Sequence, residues 1–85
     1  MINSQTDKEF FEKIYVQHKS QMLWVANQVL QNVDEAEDAV HTVFVAIANN
    51  IEHIQGRSES EIQNYVVKAA KNSALNMRKR RTMGT

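Results

Sequence analysis

Residues 32–44 read "NVDEAEDAVHTVF": four acids, Asp34, Glu35, Glu37 and Asp38, fall within five positions and run straight into apolar residues. Ala36, Ala39, Val40, Val43, Phe44, Ile47, Ala48 and Ile51 then recur at three- and four-residue spacing, the signature of one buried helix face. Asp34 with Glu37 at the box position reads as the cap of this helix, which is expected to cover roughly residues 35–50. Acids in a first turn meet exposed N–H groups favourably, each worth about 0.3 to 1 kcal/mol. That accounts for Asp34, Glu35 and Glu37 but not for Asp38, which lies past the cap beside the inner face.

Working outward, Thr6-x-x-Glu9 is a capping box for a first helix over roughly 7–31, with Phe10, Phe11, Ile14, Tyr15, Met22, Val25, Ala26, Val29 and Leu30 as its apolar stripe. On the other side, residues 51–59 lack periodicity, contain Gly56 and are expected to form a loop. Ser58-x-x-Glu61 opens a third helix over roughly 60–80, with an inner face of Ile62, Tyr65, Val66, Ala69, Ser73 and Leu75 or Asn76. This stripe relies on alanine and serine, so the third helix approaches closely and buries less apolar area. With 85 residues, no proline and two glycines, the chain has room for one core and none of the turn punctuation of sandwiches or barrels. The expected fold is all-α, a three-helix bundle forming a single domain.

The formal net charge of zero conceals a division. Residues 1–61 hold four basic and all ten acidic residues, net −6, whereas residues 62–85 hold Lys68, Lys71, Arg78, Lys79, Arg80 and Arg81 and no acid, net +6. Such a split implies two partners of opposite character, one of them a polyanion. Catalytic chemistry is missing. There is no cysteine, and His18, His41 and His53 lie far apart without metal-ligand spacing, so they are expected to be structural or surface residues. The serines lack a nucleophile elbow, no glycine-rich loop cradles phosphate, and the acids at 34–38 lack the glycine and alternation of a calcium loop. The reading is of a non-enzyme without cofactor or metal. No secretory leader or membrane span is legible, and a cytoplasmic location is expected.

"AEDAVHTVFVAI" (36–47), preceded by an amphipathic helix and followed by a loop and "NYVVKAAKNSALNMRKRR" (64–81), resembles region 2 of bacterial RNA polymerase sigma factors, most closely the extracytoplasmic-function group. Ala36, Glu37, Asp38, Ala39, Val40 and Phe44 match the family's A-E-D-A-V-Q-E-x-F pattern. Tyr65, Val66, Val67, Lys68, Ala70, Asn72, Ala74, Lys79, Arg80 and Arg81 take the places of its aromatic, aliphatic, basic, small, asparagine and terminal basic positions. The likeness spans residues 8–81.

The resemblance implies a transcription initiation factor domain. Its second helix docks on the clamp coiled coil of the largest subunit of core RNA polymerase, placing Glu37, Asp38, His41 and Phe44 at that contact. Its loop and last helix recognise and melt the −10 promoter element and capture a flipped base of the single-stranded non-template strand. By position the DNA-binding residues are His53, Gln55, Arg57, Ser58, Tyr65, Lys68, Lys71, Asn72, Arg78, Lys79, Arg80 and Arg81. An anti-sigma factor is a further partner the family allows. Departures are His41 for glutamine, Thr42 for an acid, Ala46 for lysine, Tyr65 for tryptophan, Asn76 for aspartate and Arg78 for an aliphatic residue. The family's helix-turn-helix half is not in this sequence, which stops at "RKRRTMGT" (78–85), where a linker would begin; an excised domain is expected, a split factor being the other choice. Two other readings compete. One is a plain helical protein-interaction module; the other, a helix-turn-helix reader of duplex DNA, is disfavoured by a connection of about nine residues where three or four are usual.

Overall fold

The computed structural model describes residues 2 and 4–83, with side chains to Arg81. Four helices follow in order: α1 (Gln5–Leu30), α2 (Val33–Asn49), α3 (Ile51–Gln55) and α4 (Glu59–Met83). The described residues contain no strand.

Two of the caps differ from the sequence expectation. Ser4, in extended conformation, accepts the Asp7 N–H at 3.1 Å, so Thr6 is already helical. Asn32 caps α2 by accepting the Glu35 N–H at 3.0 Å, two residues before Asp34. Both side chains satisfy an orphan donor of the first turn two residues earlier than the expected residue would. The shift matters for the acids. With Asn32 as cap, Asp34 and Glu35 occupy the first turn and Glu37 as well as Asp38 lies beyond reach of the dipole's main effect.

Between α1 and α2 stand only Gln31 and Asn32. Gln31 adopts φ 53°, and its N–H closes on the Asn27 carbonyl at 2.8 Å, ending α1 in a left-handed cap. A two-residue turn returns the chain sharply, making α1 and α2 an antiparallel helical hairpin. The left-handed backbone costs a side-chain-bearing residue about 1 kcal/mol relative to glycine. Gln31→Gly should therefore raise the melting temperature by about 4 °C, as read by a thermal circular dichroism scan.

The residues expected to be loop contain a further element. Ile51 and Ile54 are buried, and α3 forms one helical turn that seats them in the core. Two apolar residues are too few to show periodicity, which is why the turn is invisible in sequence. Asn50 joins the elements, its N–H reaching the Ala46 and Ile47 carbonyls and its Nδ2 donating to Ala46 at 3.0 Å. Because α3 shortens the linker before α4 to Gly56, Arg57 and Ser58, loop length no longer argues against a helix-turn-helix. The five-residue length of α3 does.

Ser58 and Glu61 form a reciprocal capping box on α4. The Ser58 Oγ accepts the Glu61 N–H at 3.2 Å, while Glu61 Oε1 accepts the Ser58 N–H at 3.2 Å and its hydroxyl at 3.1 Å. The Ser58 N–H and hydroxyl, with Arg57 beside them, hold the Glu61 carboxyl below its usual range. A depressed carboxylate contributes stability above its unfolded value and loses it as pH falls through the folded one. Glu61→Gln should flatten the loss of stability on acidification below about pH 4.5, the ordinary glutamate value, in denaturant melts at several pH values.

The core draws Ile14, Met22, Ala26 and Leu30 from α1, Ala36, Ala39, Val40, Val43, Phe44 and Ile47 from α2, and Ile62, Val66, Ala70 and Ala74 from α4. The inner face of α4 is thus rotated from expectation: Tyr65 is 42% and Leu75 36% exposed, while Ala70 and Ala74 are fully covered. Val66 fixes the register, since the buried row steps by four from Ile62 and leaves Tyr65 a third of a turn aside. Alanines let α4 approach α2 closely enough for the Ser73 hydroxyl to donate to the Ala39 carbonyl at 2.8 Å.

Candidate functional site

Two surfaces carry the residues singled out in the sequence. The first is the outer side of α2. Glu37, Asp38 and His41 are exposed there, one turn apart or adjacent, and Thr42 donates its hydroxyl back to the Asp38 carbonyl at 3.1 Å. Phe44 does not belong to this surface. It is 5% exposed, packed edge-on to Phe11 at 6.0 Å between centroids and tilted against Tyr15 at 4.8 Å, so it supports α2 from beneath.

The second surface lies where α3 meets the start of α4. His53 and Arg57 from the α3 segment and Tyr65 from α4 converge on one cleft of about 260 Å³. Asn50, Ile54, Glu61 and Ile62 complete its walls. The capping box positions it: by starting α4 at Glu59, it sets Glu61 and Tyr65 on the side of α4 that faces α3. Arg57 Nη1 lies 3.5 Å from Glu61 Oε2, an exposed pair of the kind worth at most about 1 kcal/mol, so the guanidinium can turn to another anion. The Tyr65 ring, expected in the core, instead offers a face to the cleft mouth.

Beyond the cleft, Tyr65, Lys68, Asn72 and Lys79 recur at intervals of three, four and seven, which puts them on one exposed stripe of α4. Lys71 and Arg78, seven apart, form an adjacent row. Asn72 is exposed in mid-helix, where asparagine is locally unfavourable. Three of the nominated residues stand differently. Ser58 has its hydroxyl and N–H spent on the cap. Gln55 donates to Asp7 at 2.5 Å, tying the α3 segment to the start of α1. Arg81 turns to α2 and pairs with Glu35, whose side chain is 26% exposed. The acidic and basic flanks therefore touch at that end of the bundle, and Glu61, paired with Arg57, is an acid within the cleft itself.

Asn50, Glu61 and Ile62 were not foreseen at the cleft, because α3 had to form before Asn50 could face α4. Among the described residues no group of three or more His, Cys, Asp or Glu is arranged to hold a metal ion. No helix of the described residues is long and apolar enough to cross a membrane.

Comparison with curated proteins and with solved structures finds no match for this chain. A family model does match: sigma-70 region 2, over residues 14–83, more than four fifths of the chain. The matched span takes in the outer side of α2, the cleft and the exposed stripe of α4. Domains of this family are non-catalytic initiation factors that bind RNA polymerase and recognise the −10 promoter element. An all-α domain with acids on α2, an aromatic cleft between α3 and α4, and cations along α4 thus belongs to the sigma-70 region 2 family.

Proposed function

We propose that the two surfaces divide the family's work, Glu37, Asp38 and His41 docking on the polymerase clamp coiled coil and the α3–α4 cleft with the α4 stripe taking promoter DNA. The extracytoplasmic-function pattern of α2 is the closest group for it. The observation that carries the reading is the convergence of His53 on α3, Arg57 in the linker and Tyr65 on α4 at one cleft, with Lys68 and Asn72 following Tyr65 along the exposed stripe of α4.

Each part has a chemical role it is suited to. Lysine and arginine neutralise phosphates without reading sequence, so Lys68, Lys71, Arg78 and Lys79 position the strand. An unstacked base loses a few kcal/mol of stacking and pairing energy, which a pocket must return. The half-exposed Tyr65 ring supplies a stacking face, worth about 1 to 3 kcal/mol for one base. His53, Asn50 and Arg57 supply hydrogen-bonding groups at its edge. Asn72 is the side chain best suited to reading a base edge on the helix itself, since its amide both donates and accepts.

Tyr65→Ala should weaken binding of a single-stranded oligonucleotide carrying the cognate −10 element by about tenfold, with little effect on scrambled strands. Asn72→Ala should lower the cognate preference in the same titration. Affinity should also fall log-linearly with salt, with a slope of about 0.7 per phosphate neutralised. Equal affinity of the unaltered domain for cognate and scrambled strands would overturn base readout by this surface.

A further inference from the structure

The α3–α4 cleft holds an acid where a nucleic-acid strand is expected to run. Among the described residues Glu61 is the one carboxylate on its walls, its side chain 56% exposed. A negative group there repels phosphates. Capping does not require the charge, since glutamine serves at the same position of a capping box. Nor does the cap use the whole carboxylate. Oε1 accepts the Ser58 N–H at 3.2 Å and its hydroxyl at 3.1 Å, whereas Oε2 lies on the side of Arg57 Nη1, 3.5 Å away. One oxygen is left for a guest in the cleft. The Ser58 N–H and hydroxyl, and then Arg57, hold the carboxyl below its usual range, so at neutral pH it only accepts. A second acceptor comes from Asn50. Its Nδ2 is turned back on the Ala46 carbonyl at 3.0 Å, so Oδ1 is the end of the amide it can offer to the cleft. The walls thus present two acceptors and, beside one of them, the Arg57 donors.

We propose, resting on the reading of this cleft as the seat of a flipped base, that Glu61 together with Asn50 selects that base by its exocyclic amino group: cytosine or adenine is taken and thymine refused. Flipping exposes the Watson–Crick edge. On cytosine and adenine that edge carries an amino group with two hydrogens and, next to it, a ring nitrogen that accepts. The two hydrogens meet Glu61 Oε2 and Asn50 Oδ1, and the ring nitrogen meets Arg57, while the ring stacks on Tyr65. Thymine carries a single N–H between two carbonyl oxygens, so one of the two acceptors is left facing oxygen. A site whose acceptors are left unpaired rejects the analogue that lacks the donor. Glu61 thereby has two tasks, one for each oxygen: Oε1 starts α4 and Oε2 reads the base.

The probes are labelled single strands of about ten nucleotides, abasic except for one central cytosine, uracil, adenine or hypoxanthine. Within the cytosine–uracil and adenine–hypoxanthine pairs an amino group is replaced by a carbonyl oxygen, with the ring-nitrogen proton that follows, while the ring size is unchanged. In anisotropy titrations of the full 85-residue chain at low salt, cytosine should bind about tenfold tighter than uracil, and adenine about tenfold tighter than hypoxanthine. Glu61→Gln keeps an acceptor for the cap and turns a donor to the cleft, so it should cancel or reverse both preferences with helicity unchanged. Equal affinity within either pair for the unaltered chain would overturn the proposal. So would an equal loss for all four strands in Glu61→Gln, the mark of a carboxylate that only holds Arg57. Tyr65→Ala should weaken all four strands. If it does so while the unaltered chain shows no preference within the pairs, base selection falls and the cleft stands; if it weakens none, cleft and selection fall together.

Discussion

Reversing both charges in Glu37→Lys with Asp38→Lys should lower the affinity of the domain for core RNA polymerase by about a hundredfold and leave its helical spectrum unchanged. Both side chains are exposed on α2, and the Asn32 cap leaves them beyond the first turn, so their charge contributes little to holding the helix. Their replacement by lysine, a better helix former than aspartate, does not weaken α2. Across an interface, however, close opposite charges couple by about 1.5 to 7 kcal/mol and like charges repel, so two reversals comfortably exceed the 2.8 kcal/mol of a hundredfold change. Anisotropy of the labelled domain titrated with core polymerase reads the outcome. Unaltered affinity would remove these acids from the docking surface.

Truncating Met22 to alanine should cost about 2 to 5 kcal/mol, a large share of a stability that for a domain this size is about 4 to 13 kcal/mol. Met22 is fully covered near the middle of α1. It is among the largest of the fully buried side chains, with Ile47 and Ile51, in a bundle where α4 contributes two alanines to the same core. The helices cannot collapse onto the space, because the Gln31–Asn32 turn and the Ser73 bond to Ala39 fix their separation. The melting temperature should fall by about 10 °C or more, whereas Met22→Leu should cost under about 1.5 kcal/mol. A thermal scan of the three proteins tests this, and an unchanged melting point for Met22→Ala would refute the packing account.

Long periodic stretches made most of the fold legible. The α2 stripe from Ala36 to Ile47 is buried as its spacing implies, with Ala48 half-buried and Ile51 buried from α3, and the Ser58 and Glu61 box forms as read. The misses share a cause: short signals with several equivalent candidates. Ser4, Thr6, Asn32 and Asp34 are all good cap residues, and only the backbone conformation decides between them. Tyr65 and Val66 are adjacent apolar residues in a stripe poor in others, and the buried row took the β-branched one. The α3 turn rests on Ile51 and Ile54 alone, and its formation is what gathers His53, Arg57 and Tyr65 at one cleft. The charge division was legible as composition, but its meeting point was not. Glu35 and Arg81 are 46 residues apart and pair because α4 runs back along α2 to its acidic start.

The central claim, that nucleic acid and polymerase use different faces, is tested most directly by amide shift mapping of the labelled domain on addition of a single-stranded −10 oligonucleotide. The account predicts perturbations at residues 50–57, 61–65, 68 and 72, with those of α2 from Asp34 to Val45 unmoved. Shifts concentrated along α2, or spread evenly over both faces, would contradict it.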